Sequence, residues 1–234
     1  MNVFHTFLFV ALPYMALAIF LVGTIYRYRV VPFKISSLSS QFLEGEILFW
    51  GSVPLHVGML AVLLLHLGCF VIPKAVLAWN SYPLRLVALE MTGFVFALSF
   101  LSGLIIVLLR RLFNVRIRVV TTWMDIVVEL LLLCQVILGC GVAAMYPWGS
   151  SWFASDLSPY LWSLVKLNPH LDAVGAMPGL VQAHVAVAFV IILLFPFTRL
   201  MHSLVAPFHY LFRAYQQVIW NWDRKTVNSP DPRV

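Results

Sequence analysis

Five long apolar runs, separated by short stretches that collect the charges, glycines and prolines, set the pattern of this 234-residue chain. They lie at about 4–26, 54–73, 86–109, 123–147 and 179–201. A helix that crosses hydrocarbon needs about 20 predominantly apolar residues, and each run reaches that length. The pattern predicts an all-α integral membrane protein, a five-transmembrane-helix bundle forming one domain over 1–234, with a tail at 203–234. Ahead of the second run, EILFWGS either lies in the interface or extends that helix. For a helix starting near Pro54, Ser52 is the expected cap, with the proline in the first turn where a missing N–H costs little.

Composition agrees with the pattern. Hydrophobic residues make up 62% of the chain and charged ones 10%, and mean hydropathy is +0.94, whereas soluble domains carry about a quarter charged residues. The first run has no Lys or Arg before Arg27 and no small-residue cleavage site after it. It is therefore read as a span rather than a signal peptide.

Charge gives an orientation. Twelve of the fifteen cations fall on one side: Arg27, Arg29 and Lys34, then Arg110, Arg111, Arg116 and Arg118, then Arg199, Arg213, Arg224, Lys225 and Arg233. Lys74, Arg85 and Lys166 fall on the other. The rule that cytoplasmic loops are rich in Lys and Arg places the N-terminus outside and the C-terminus in the cytoplasm, with the cell inner membrane as the expected location. Anionic lipid and an acidic partner surface account for the net charge of +6 without nucleic acid. The outer connection 148–178 is rich in Trp, Tyr and Pro, which fits a half-buried interfacial segment.

Four histidines within or beside the apolar runs carry the chemistry: His56 and His66 on the second, His184 and His202 on the fifth. Ionisable groups in hydrocarbon are costly and mark functional sites. Neutral imidazole is suited to axial coordination of an iron porphyrin, and two histidines on each of two antiparallel helices make two b-type sites. His66 pairs with His184 on the outer side and His56 with His202 on the inner side. The spacing is uneven, because ten residues rise roughly 15 Å and eighteen roughly 27 Å along a helix. Pro196 is expected to kink the fifth helix and take up part of the difference.

His5 and His170 read as solvated or interfacial, and His209 is a rival to His202. Gly51, Gly58, Gly68, Gly93 and Gly103 permit close approach either of a macrocycle or of another helix. Arg111 and Arg199 are placed for the propionates of the inner haem. Cys69, Cys134 and Cys140 lie in apolar runs, and no CxxCH or CxxC motif accompanies them.

The stretches LHVGMLAVLLLHLGCFVIP, RRLFNVRIRVVTTWMDI and LLFPFTRLMHSLVAPFHYLFRAYQ resemble the cytochrome b (gamma) subunit of membrane-bound respiratory nitrate reductase. The resemblance implies two haem b groups, an outer one on His66 and His184 and an inner one on His56 and His202. It also implies quinol oxidation near the outer haem and electron delivery to a cytoplasmic iron–sulfur subunit, which serves a molybdenum-containing catalytic subunit. Arg85 stands where the family has a lysine at its quinol site. Gln182 stands where the family commonly has a basic residue. Related gamma subunits serve nitrite-oxidising, chlorate-type and sulfite-linked complexes, so the family resemblance leaves the partner's substrate open. Two rival classes are a His-dependent transporter and a haem-free anchor. Glu90, Asp125 and Glu129 are the few acids available for a proton relay in the spans, and no inverted repeat of broken helices is visible.

Overall fold

A computed structural model describes residues 3–30 and 45–204. Five helices in it are long and apolar enough to cross a membrane: α1 (Val3–Val30), α2 (Glu46–Val71), α3 (Pro83–Phe113), α4 (Trp123–Met145) and α5 (Gly179–Leu194). The fifth span continues through a 3-10 turn, Phe195–Phe197. Leu21, Val22, Leu63, Leu64 and Met91 are exposed on the outside of the bundle, as lipid-facing side chains are.

Helices α2 and α3 form the tightest pair, because glycines remove the side chains between them. A Cβ on Gly58 would stand 2.5 Å from Phe100 N and Phe96 O, and one on Gly103 would meet Leu55 N and Gly51 O. Without a hydrophobic force between helices in lipid, such close backbone approach is what holds them. Four of the five glycines noted in the sequence thus serve helix–helix contact, Gly51, Gly58 and Gly103 against backbone of the other helix and Gly93 against a side chain. Gly93 faces Leu65, and Gly68 has open space around it. Phe100, Leu104 and Val136 then join α4 to this pair.

Helix α5 runs alongside α1, with Gly23 against Pro196 and the Phe20 ring 5.3 Å from that of Phe195. It runs antiparallel to α4, with Gly141 against Leu180 and Gly139 against His184. The bundle has two ends: a loop end, where 146–178 is packed, and an arginine end, where Arg110, Arg111 and Arg199 gather.

One local expectation is corrected. Helix α2 begins at Glu46, so Ser52 lies well inside it and caps nothing. Glu46 places a carboxylate at the positive end of the helix dipole, and Pro54 is carried as an interior proline. Its carbonyl accepts from Ser99 Oγ at 3.2 Å. The 148–178 connection is half-buried: Trp148, Trp162, Val165 and Leu167 are exposed, while its other face is packed into the bundle. Leu157, Tyr160, Leu164 and Val174 pack with Phe9 of α1 and with Val185 and Phe189 of α5. Tyr160 is 1% exposed and its hydroxyl donates to Phe9 O at 2.9 Å. Burial first, and then the neighbouring Tyr14, push the Tyr160 phenol well above the ordinary tyrosine value.

Candidate functional site

The fold brings the four histidines together two by two. The ring centroids of His66 and His184 are 6.3 Å apart, and those of His56 and His202 are 6.2 Å apart. Two imidazoles that bond one metal ion from opposite sides, at about 2.0–2.1 Å each, stand with centroids roughly 6.3 Å apart. A direct hydrogen bond between imidazole nitrogens would draw them to roughly 5 Å. Both pairs match the wider figure.

Their hydrogen bonds select one tautomer. Nδ1 of His66 donates to Val62 O at 2.8 Å, Nδ1 of His56 to Ser52 O at 2.8 Å, and Nδ1 of His202 to Arg199 O at 2.6 Å. A carbonyl only accepts, so the proton sits on Nδ1 and the Nε2 lone pair is left for a ligand. At His184, Gln135 Nε2 donates to Nε2 at 3.3 Å, while Nδ1 is buried without a partner. A metal reaching His184 Nε2 would therefore displace the Gln135 amide from that lone pair. The ring lies against Gly139, where a Cβ would stand 3.0 Å from Cε1. Gln135 and Gly139 were missed in the sequence; their position a turn apart on the helix facing His184 is the signal that marks them.

The uneven spacing has a structural answer. The α-helical part of α5 stops at Leu194, ten residues after His184, a rise of roughly 15 Å that equals the one between His56 and His66. Pro196 does more than kink the chain. After the turn that holds it, Thr198 is extended, with φ −115° and ψ 173°, and a separate 3-10 segment, Arg199–Leu204, carries His202 back to His56. Gly23 leaves the room that Pro196 occupies, and Arg27 Nη1 donates to Pro196 O at 2.9 Å.

At the arginine end, Arg111 and Arg199 meet carboxylates of α4. Arg199 Nε is 2.8 Å from Asp125 Oδ1, Arg111 Nη1 is 3.4 Å from Asp125 Oδ2, and Arg111 Nε is 2.9 Å from Glu129 Oε2. The last pair is close in distance yet off the hydrogen-bond direction. Asp125 and Glu129 are 9% and 5% exposed. Their spacing of four puts them on one helix face, opposite the two guanidiniums, so these acids are consumed by ion pairs. Asp125 also closes a capping box with Thr122 at the start of α4.

At the loop end, the Arg85 guanidinium lies 4.5 Å from the Tyr82 ring and 5.1 Å from the Trp79 ring, exposed at the first turn of α3. Deeper in, Glu90 accepts from Ser150 N at 2.8 Å and from Ser150 Oγ at 2.6 Å. The same segment sends Phe153 against His66, ring centroids 5.5 Å apart. Gln182 donates to Met177 O at 2.8 Å and ties down the turn before α5. His170 is exposed beside Asn168, and His5 packs edge-on against Phe9. The three cysteines are free thiols. Lys34, His209, Arg213, Arg224, Lys225, Arg233 and the tail beyond Leu204 lie outside the described residues. Among the described residues no group of three or more His, Cys, Asp or Glu is placed to hold a metal ion; axial ligation of a porphyrin iron asks for pairs.

The class defined by fold and site is a five-span helical protein with one histidine pair toward each end of its bundle. The chain belongs to the nitrate reductase gamma subunit family, whose pattern it matches over residues 5–221. It is 31% identical over 208 residues to the nitrate reductase gamma chain of Bacillus subtilis, covering 87% of this chain and 93% of that one. It is 31% identical over 222 residues to the respiratory nitrate reductase 2 gamma chain of Escherichia coli, covering 92% and 96%, and 30% identical over 226 residues to the respiratory nitrate reductase 1 gamma chain of the same organism.

Proposed function

We propose that this chain is a di-haem cytochrome b subunit of a nitrate reductase-type complex. It oxidises quinol at the loop end, which faces outside, and delivers electrons to a cytoplasmic iron–sulfur subunit that serves a molybdenum-containing catalytic subunit. The observation that carries this reading is the separation of the two imidazole pairs, 6.3 and 6.2 Å, which fits a shared metal and is too wide for hydrogen-bonded histidines. The family membership supports it independently.

In this reading His66 and His184 hold one haem b and His56 and His202 the other, each through Nε2. When bound, the haems supply one-electron carriers at two depths of the membrane. The protein's part is to position and tune. Each Nδ1–H donated to a carbonyl raises the basicity of the ligating nitrogen and fixes the ring. Two imidazoles held to each iron would leave it no site for oxygen, so the group would serve as an electron carrier alone.

Arg111 and Arg199 donate hydrogen bonds to the propionates of the inner haem with the N–H groups that their ion pairs leave over. Arg85 donates to a quinol oxygen and favours the quinolate that forms as the proton departs. Arg110, Arg111, Arg116, Arg118 and Arg199 share one end of the bundle, which supports a cytoplasmic assignment for that end and outward release of quinol protons at the other.

Reduced-minus-oxidised absorption spectra of the purified chain test this reading. Two low-spin b haems per chain, reducible by quinol when the complex is assembled, are expected. A colourless chain would overturn it in favour of a haem-free anchor.

A further inference from the structure

Of the four paired histidines, His202 alone stands off a spanning helix. His56, His66 and His184 each belong to a continuous α-helical ladder, whereas His202 is on a six-residue 3-10 segment that follows the extended residue Thr198. Hydrogen bonds of 3-10 helices are poor in geometry, so the orientation of this ring has to come from ties to the rest of the bundle.

One tie reaches the ring by a short route. Asp125 Oδ1 holds Arg199 Nε at 2.8 Å, and Arg199 O accepts from His202 Nδ1 at 2.6 Å. Asp125 is itself fixed, because its Oδ2 accepts from Thr122 N at 2.9 Å and faces Arg111 Nη1 at 3.4 Å, while Glu129 braces Arg111 from one turn further along α4. Met201, 1% exposed, anchors the depth of the segment. The ion pair on the residue that bonds the ring sets its direction.

We infer that Asp125 is a positioning residue for His202, acting through the Arg199 ion pair to hold the imidazole in its ligating orientation. This rests on the assignment of His56 and His202 to a haem, and it adds a residue on a third helix to the control of that site. Groups that bond a ligating histidine directly cost roughly ten- to a hundredfold in metal retention when removed; Asp125 stands one step further out, so the low end of that range is expected.

The test compares Asp125→Asn, Asp125→Glu and Thr122→Ala in the full chain, using haem content, a redox titration, the low-spin electron paramagnetic resonance signal and hydrogen exchange at amides 199–204. Asp125→Asn is expected to lower retention of the His56/His202 haem by roughly tenfold. It should also shift that haem's potential and resonance signal while leaving the His66/His184 haem unchanged, and amides 199–204 should exchange faster. Asp125→Glu should restore these properties in part. Thr122→Ala, which removes the helix cap and keeps the ion pair, should leave both haem signals in place, separating positioning from general destabilisation of α4. An unaltered signature of that haem in Asp125→Asn, or equal disturbance of both haems, would overturn the inference. A wild-type chain without haem would overturn the haem assignment instead. Hydrogen exchange would then still decide whether Asp125 holds the segment: unchanged exchange counts against it, and faster exchange in Asp125→Asn counts for it.

Discussion

The imidazole of His202 faces that of His56 with ring centroids 6.2 Å apart and planes at 67°, and this meeting depends on a helix that stops short. Had α5 continued through Pro196, His202 would stand roughly 27 Å along the axis from His184, about 12 Å beyond the level of His56. The predicted consequence is that Pro196→Leu, which allows α-helix past Leu194, weakens the His56/His202 site and spares the other. Haem-resolved redox titration should show the first haem lost or shifted in potential and the second unaltered.

Gly58 tests the closeness of α2 and α3. A side chain there would collide with backbone N and O of α3 at 2.5 Å, and backbone cannot step aside as a flexible side chain can. Gly58→Leu should cost at least about 1–3 kcal/mol, as overpacking does, and should lower the thermal midpoint in detergent. Gly68→Ala, placed in open space within α2, should not lower that midpoint and should raise it slightly through the better helix propensity of alanine.

Tyr160 makes a pH-dependent contribution. Its folded-state phenol is raised above the ordinary value of about 10 by burial and by Tyr14. Its stabilisation is therefore fully present below about pH 10 and is lost as pH climbs from there toward the folded value. Tyr160→Phe removes the buried bond to Phe9 O and should cost about 0.5–1.5 kcal/mol at neutral pH. It should also flatten the alkaline fall in stability, read from melting curves between neutral and strongly alkaline pH.

Arg85 separates a quinol contact from an interfacial anchor. Its stacking on Tyr82 and Trp79 is worth about 0.5–1 kcal/mol at an exposed site, so Arg85→Ala should fold. Quinol-dependent haem reduction should slow while dithionite still yields the full spectrum. Unchanged quinol kinetics and inhibitor binding would make Arg85 an anchor alone.

What was legible beforehand follows the length scale of the physics. Five runs long enough for hydrocarbon and histidines inside or beside them are visible without tertiary knowledge, because the bilayer fixes span length and penalises ionisable groups locally. The pairing of His66 with His184 and of His56 with His202 in space followed from antiparallel order. Ser52 misled because a cap signal is weak beside helix packing: Gly51 against Ile106 and Val107 keeps α2 helical ahead of Pro54. Pro196 announced a break, yet the direction of the chain after Thr198 depends on Gly23 and on Arg27, which lie on another helix. Aromatic composition marked 148–178 as half-buried, but not which aromatics turn inward: Tyr160 is buried against Phe9, while Trp162 stays exposed beside Phe70. Asp125 and Glu129 read only as acids within a span, because the ion pairs that consume them join α4 to Arg111 and Arg199 on other stretches of the chain.

In the proposed arrangement each haem is shared by α2 and the α5 end of the chain, one histidine from each. Reduced-minus-oxidised spectra of His56→Ala, His66→Ala, His184→Ala and His202→Ala test it directly. His66→Ala and His184→Ala are expected to lose the same haem, the one at the loop end, and His56→Ala and His202→Ala the other. Loss of one and the same haem in His56→Ala and His66→Ala, or retention of both haems in any of the four, would contradict it.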